Sequence, residues 1–339
     1  MQGTTILKQK MNSAQMWRWV RIGLGLVLAT AIFYSYWRNP QLTTGMLNAT
    51  LRQSTPLILG ALCGLLCERS GVINIGIEGQ MLLSAFVGFL VTVVTRNLFL
   101  GVLGGVLMGA FLGAFLGFMA VTLKMDQIIG GTVINIMALG LTSFFYQAGQ
   151  SIPGKLSPIP LGPLADIPLI GTVLFRNPPI TYLALILVFV VHYGLFYTTW
   201  GLRTRAVGEH PRAADTVGIN VYRIRYMNVM LGGAIAGLAG AFLTLESVGS
   251  FERAMTNGRG FVALAVMIFG KWTPLGSWGA ALLFGFANAA QTQLQFGDVL
   301  QIPHQFIGML PYVLTIVVLA GFVGRSRPPA AVGQPYETE

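Results

Sequence analysis

Charge is scarce in this chain. Only 9% of its 339 residues are Asp, Glu, Lys or Arg, against about a quarter in an ordinary soluble domain, too few to cover a soluble globule. Cysteine is scarcer still. Cys63 and Cys67 are the only two, four apart in an apolar run with no His or further Cys beside them. That excludes a disulfide framework and leaves a metal ion without a ligand set, and small side chains packed in a helix account for the pair. The phosphate loop G-x-x-x-x-G-K-[ST] is missing: Gly154-Lys155-Leu156 and Gly270-Lys271-Trp272 lack both the hydroxyl residue and the preceding glycine, so the chain is not its own ATPase by that route. It has neither a nucleophile elbow nor a zinc-protease helix, and His192, His210 and His304 lie far apart in sequence. No catalytic residues, metal site or cofactor are expected.

Hydrophobic residues make up 54% of the chain, in blocks near the ~20 residues that a helix needs to cross a bilayer core. The blocks do not alternate polar and apolar residues as barrel strands do, and unpaired backbone groups are costly in hydrocarbon, so the spans must be helical. The fold class is an all-α integral membrane protein of about ten transmembrane helices. The runs lie near 19–37, 46–67, 77–95, 98–122, 127–148, 180–199, 227–248, 260–270, 275–296 and 304–323. The eighth is too short to cross ~30 Å of hydrocarbon alone, so it is either extended by its neighbours or a half-helix buried against them.

The formal charge of +10 does not point to nucleic acid, because the basic residues sit in loops between apolar blocks rather than in a compact domain with stacking aromatics. The positive-inside rule explains them. Residues 1–18 form a cytoplasmic segment carrying Lys8, Lys10 and Arg18. The small-residue triplet Ala29-Thr30-Ala31 lies inside the first run, which makes that run an uncleaved anchor. Ten crossings then put both termini and the loop 201–226, with Arg203, Arg205, Arg212, Arg223 and Arg225, in the cytoplasm, and the Pro-rich segment 149–179 outside as an ordered cap or irregular loop. Residues 19–323 are one transmembrane domain, and the tail 324–339, with Pro328, Pro329 and Pro335, is expected to be disordered.

Two stretches rise above this background. In Glu68-Arg-Ser-Gly-Val-Ile-Asn-Ile-Gly-Ile-Glu-Gly-Gln80, three glycines and several polar side chains interrupt membrane helix, which is how transporters present polar groups to a solute near the midplane. Asn74 is a costly residue among Val, Ile and Gly unless another helix or a solute satisfies it. Glu78 admits two readings: a pathway carboxylate four residues from Asn74 on one helical face, or a charge in the first turn of the third span, favourable to its dipole. Val-Ile-Asn-Ile recurs at 133–136 and adds Asn135 as a candidate. In the second stretch, Pro211 suits a first helical position and Gly218 a C-terminal cap, predicting a two-turn helix over 211–217. So short a helix is unstable alone in water and implies a docking partner. The glycines of the fourth span, at three- and four-residue spacing, read as close helix packing, and Glu246 as an interfacial charge.

Glu68-Arg-Ser-Gly-Val-Ile-Asn-Ile-Gly-Ile-Glu-Gly79 and Ala206-Val-Gly-Glu-His-Pro-Arg-Ala-Ala-Asp-Thr-Val-Gly-Ile219 resemble the permease family of bacterial ABC importers for branched-chain amino acids, ribose-type sugars and nucleosides, nearest its nucleoside and simple-sugar branch. The resemblance runs from about Leu47 to Val323. It implies a second permease subunit, identical or related, two cytoplasmic ATPase subunits, an extracytoplasmic solute-binding protein, and a bacterial plasma membrane. Asn74, Glu78 and Asn135 would then line the solute pathway, and Arg205, Glu209, Pro211, Arg212, Ala213, Ala214, Asp215 and Gly218 would couple to the ATPase. Arg212 stands where the family's Glu-Ala-Ala…Gly signature has Glu. A branched-chain amino acid permease is the nearest alternative. A stand-alone secondary transporter also fits ten helices, but it needs intramembrane carboxylates or His for ion coupling, and such candidates are few here.

Overall fold

The computed structural model describes residues 30–296, 308–309, 313 and 327–337. The first expected run lies partly, and the tenth almost wholly, outside them. A helical stretch at 30–38 leads into α1 (Pro40–Arg69), which begins at an Asn39 cap accepting from the Leu42 N–H. After a break come α2 (Ile77–Thr95), α3 (Leu98–Gly117, continued in wider π turns through Thr122) and α4 (Gln127–Phe145). An irregular segment follows, held in part by a two-residue antiparallel pairing of Ile159–Pro160 with Arg176–Asn177. Then come α5 (Pro179–Tyr197), α6 (Thr199–Glu209), α7 (Pro211–Thr216), α8 (Val221–Ala241, continued through Val248), α9 (Arg259–Phe269) and α10 (Pro274–Phe296).

Five of these helices, α2, α3, α4, α5 and α8, are long and apolar enough to cross a membrane. They correspond to the third through seventh expected runs. α1 and α10 have the length but carry more polar residues. The eighth run is α9, only 11 residues, or roughly 16 Å at ~1.5 Å per residue. It does not cross.

Lipid offers little hydrophobic drive for helices to associate, so close backbone approach must supply it. The glycines of α3 do this against α8: a Cβ on Gly109 would stand 2.2 Å from the Gly233 carbonyl oxygen, and one on Gly233 2.3 Å from that of Gly109. Gly105 and Gly237 repeat the arrangement one turn away. The segment 149–179 is mostly non-helical, with a 3-10 turn at Gly162–Asp166 and a short helix at Ile170–Leu174, and Leu156 N–H bonds to the Leu245 carbonyl at the end of α8.

The tail departs from expectation. Residues 327–337 are packed rather than disordered: Ala331 and Tyr336 are buried, and their backbone bonds to α6 and to the first break. Composition misleads here because prolines lower the entropy lost on ordering, and the acceptors that hold the segment come from distant elements. At its end Glu337 bonds Lys124 at 2.7 Å, and this bond holds the lysine above and the carboxyl below their ordinary pKa ranges.

Gly109→Leu should force α3 and α8 apart at a cost of about 1–3 kcal/mol, visible as a lower melting midpoint of the detergent-purified protein. Gly140→Ala, inside α4 where a Cβ meets nothing within 4 Å, should leave the midpoint no lower than wild type.

Candidate functional site

At the end of α1 the chain turns through Gly71, whose φ of +91° is open to glycine at little cost. It then runs non-helically to Gly76 beside α4 before α2 begins. Backbone groups freed by such a break need partners inside the protein. The Ile73 N–H goes to Gln127 Oε1 at 2.7 Å, the Ile75 carbonyl accepts from Asn135 Nδ2 at 3.1 Å, and the Gly79 N–H goes to Asn135 Oδ1 at 2.7 Å. Asn135 stands eight residues into α4, about 12 Å from its start at ~1.5 Å per residue. The break therefore reaches well into the bundle. Glycine is needed where α2 meets α4: a Cβ on Gly79 would lie 2.7 Å from Asn135 Cα.

A second break lies between α8 and α9. Here the loop 249–258 delivers the N-terminus of α9 to Glu78, whose carboxylate accepts from the Gly258 N–H at 2.8 Å and the Gly260 N–H at 2.6 Å. Glu78 does sit in the first turn of α2, yet the helix start it caps is that of α9, 180 residues away in sequence. The other end of α9 is tied to the other end of the same motif: Trp272 Nε1 donates to Glu68 Oε2 at 2.5 Å, and the Trp272 carbonyl accepts from Arg69 at 2.7 Å. The Glu68–Glu78 segment thus clasps a half-helix at both ends. Carboxylates suit helix N-termini because four N–H groups there lack intrahelical acceptors and carry a partial positive charge.

Glu246 does the same elsewhere. Expected as an interfacial charge, it is buried and accepts from Ile180 N–H at 2.7 Å, Thr181 N–H at 3.2 Å and Thr181 Oγ1 at 2.5 Å, capping α5. Its partners are more than 60 residues away, so no local pattern announces them.

A cavity of about 290 Å³ opens beside the clasp, lined by Glu78, Asn135, Leu139, Thr256, Asn257 and Phe261 among others. On the far side of α9 a second cavity of about 520 Å³ shares Asn257 and Phe261 and adds Gln53, Arg259, Asn288 and Gln291. Glu78 and Asn135 are thus brought together at a cavity, while Asn74 is not. It is fully buried, with Nδ2 at 3.0 Å from Gln80 Oε1 and near the sulfurs of Cys63 and Cys67. Sequence reading missed Gln53, Asn257 and Asn288, and took Arg259, like Glu246, as an interfacial charge. The available signal was the spacing of Asn288, Gln291 and Thr292, which shares one face of α10, and the glycines flanking Arg259.

The other predicted residues gather at the end of the bundle that carries α6 and α7. Arg205 is half-buried, its guanidinium 5.1 Å above the Phe196 ring. The Glu209 carboxylate accepts from the Ala330 N–H. Pro211 starts α7, Arg212, Ala213 and Asp215 are exposed, and Ala214 is buried. Gly218, at φ +82°, follows with open space around it. The helix ends at Thr216, one residue short of expectation.

A bundle with two helix breaks that face cavities of mixed polar and apolar lining has the architecture of a membrane transport pathway. The chain belongs to the family described as the permease component of branched-chain amino acid transport systems, which matches residues 46–319. It is 41% identical over 318 residues to the guanosine ABC transporter permease protein NupQ of Bacillus subtilis (strain 168), covering 87% of this chain and 97% of that one. It is 40% identical to the nucleoside ABC transporter permease protein NupC of Lactococcus lactis subsp. cremoris (strain MG1363), covering 84% and 93%. It is also 37% identical to the putative glucose ABC transporter permease protein TsgC13 of Haloferax volcanii, covering 87% and 98%. No solved structure matches.

Glu78→Ala leaves two N–H groups at the start of α9 without acceptors, at about 1–3 kcal/mol each, whereas the single amide oxygen of Glu78→Gln keeps one. Amide exchange in a peptide covering 249–262 should therefore accelerate in the order wild type, Gln, Ala. Equal exchange in all three would remove the clasp from this account.

Proposed function

We propose that the chain is the membrane-spanning subunit of an ATP-driven importer for nucleosides, in a bacterial plasma membrane, with both termini and the loop 201–226 cytoplasmic. The observation that carries this reading is the pair of breaks meeting at Glu78 beside cavities in which several side-chain amides stand among apolar residues, with Arg259 at the edge of the larger one. Gln53, Asn257, Asn288 and Gln291 offer donor and acceptor pairs suited to nucleobase edges and ribose hydroxyls, and Phe261 offers an apolar face. The nearby carboxylate, Glu78, is engaged by two N–H groups and is poorly placed to pair an amino acid's ammonium, which disfavours the branched-chain amino acid alternative. The names carried by the guanosine and nucleoside relatives support the same solute class.

In this reading the pathway runs by Glu78, Asn135, Asn257 and Phe261, with Asn74 holding the break from behind. The exposed apolar face of α4, including Ile128, Ile129, Ile136 and Phe144, seats a second permease subunit, the same or a related chain. Two ATPase subunits dock on α7 through Pro211, Arg212, Ala213 and Asp215, and the solute-binding protein delivers at the opposite end. ATP binding moves α7, the half-helix α9 shifts against α2, and the cavity changes the side to which it opens. Arg69, Arg203, Arg212 and Arg223 near the α7 end support the cytoplasmic assignment.

Uptake of labelled guanosine by cells should require this chain, the ATPase and the binding protein together. Uptake by the chain alone that follows a proton or sodium gradient would instead make it a secondary transporter, and uptake of leucine in place of guanosine would reassign the solute. Gly218→Pro should spare membrane insertion and abolish ATPase co-purification, because proline fixes φ near −65° where the turn needs +82°. Transport with normal ATPase recovery in that variant would refute docking at α7.

A further inference from the structure

The segment Arg327–Glu337 touches several separate elements in turn. Ala330 N–H donates to Glu209 Oε2 at 3.1 Å and Ala331 N–H to the Gly208 carbonyl at 2.9 Å, both at the end of α6. Gly333 N–H then donates to the Gly71 carbonyl at 3.1 Å, at the first break. The Gln334 carbonyl accepts from Arg225 Nη1 at 3.0 Å, on α8, and Glu337 reaches Lys124 just before α4. Tyr336 meets Tyr222 edge-on at 5.6 Å and completes a small core with Val207, Ala214, Val221 and Ile224. Ala214 is the one buried residue of α7, so the core that seats α7 is closed by the tail.

Arg225 strengthens the case that this seating is built. It is 1% exposed, and its Nε and Nη2 have no hydrogen-bond partner among the described residues. A buried cation is costly without compensation, and the tail supplies the carbonyl that its Nη1 uses. At Gly71 the fit is close enough that a Cβ would stand 3.0 Å from Arg225 Nη2 and 3.3 Å from the Ala331 carbonyl oxygen.

Beside the Tyr336 core a cleft of about 790 Å³ opens between α7 and the tail, lined by Pro211, Arg212 and Ala213 and by Pro335, Tyr336 and Glu337. A protein that grips α7 therefore bears on the tail as well. We propose that Arg327–Glu337 is a coupling strap, which takes load from the ATP-binding subunit at α7 and passes it to the break at Gly71, and so to the Glu78–α9 clasp. α7 is six residues long and packs through Ala214 alone, in a core that α6, α8 and Tyr336 of the tail share, so the tail is one of three elements that feel its motion, and the one that also bonds the Gly71 turn. This inference rests on the importer reading above.

The test uses the whole transporter in proteoliposomes, with the permeases, ATPase and binding protein present, and compares the intact chain with two variants. One chain ends at Ser326. The other is Gly333→Val, which keeps the tail but places a branched side chain where a Cβ already lies 2.8 Å from Ile73 Cδ1 and where φ is +78°. In both, ATPase co-purification and basal hydrolysis should stay within about twofold, while guanosine uptake and its stimulation of hydrolysis fall about tenfold or more, the size of an ordinary coupling free energy. Should the shortened chain fail to accumulate, Gly333→Val decides. Unchanged uptake in the variants overturns the strap. So does a loss of uptake that merely tracks loss of bound ATPase, which would make the tail a docking surface alone. Failure of the intact complex to take up guanosine overturns the functional reading, and the strap with it.

Discussion

A membrane helix that stops partway leaves its backbone groups in a medium that offers no water to satisfy them, and the placement of almost every functional element here follows from how that debt is met. Asn135 satisfies the break before α2 with both ends of its amide. Glu78 satisfies the start of α9 with both oxygens. Each acceptor comes from a different element, so α2, α4 and α9 are locked in register at the same depth. Both cavities border α9, a half-helix of 11 residues, and the loop that precedes it.

The surroundings of the clasp are correspondingly rigid. α3 and α8 approach backbone to backbone through Gly105, Gly109, Gly233 and Gly237, and interfaces of that kind tolerate sliding better than separation. At the α7 end, packing is thinner: a small core around Val207, Ala214 and Tyr336 and a tail held by a few hydrogen bonds. A firm bundle with a lightly held end is a reasonable arrangement for receiving force at one place and expressing it at another. Motion of α7 meets α6, the start of α8 and the tail, and through the tail the Gly71 turn.

Much of this was legible in the sequence. The apolar runs for α2, α3, α4, α5 and α8, the short eighth run, the glycine packing and the Pro211 helix all follow from composition, period and punctuation. Glu78 and Asn135 were visible as polar residues in an apolar setting. Their partners were not. Hydrogen bonds from Glu78 to residues 180 and 182 positions away, and from Glu246 to Ile180 and Thr181, depend on tertiary placement that no local pattern encodes. The tail failed as an expectation for the same reason, since a Pro-rich sequence reads alike whether it meets water or a prepared surface. Asn257, at the end of the loop, and Arg259, the first residue of α9, are positioned by the bonds of Gly258 and Gly260 to Glu78, so they became candidates only once that contact was known.

The central claim is that the clasp between Glu78 and α9 borders an aqueous solute pathway. Cys63 and Cys67 are both buried, so a single introduced cysteine can be read against a quiet background. Leu139→Cys lines the cavity beside Glu78 and is the most direct probe. In membranes holding the assembled transporter it should react with a small impermeant thiol reagent, be protected by guanosine, and change in rate when ATP and vanadate trap the ATPase. A Leu139→Cys that stays unreactive in every state, or that reacts without regard to guanosine or nucleotide, would put that face against lipid or a static surface and contradict the account.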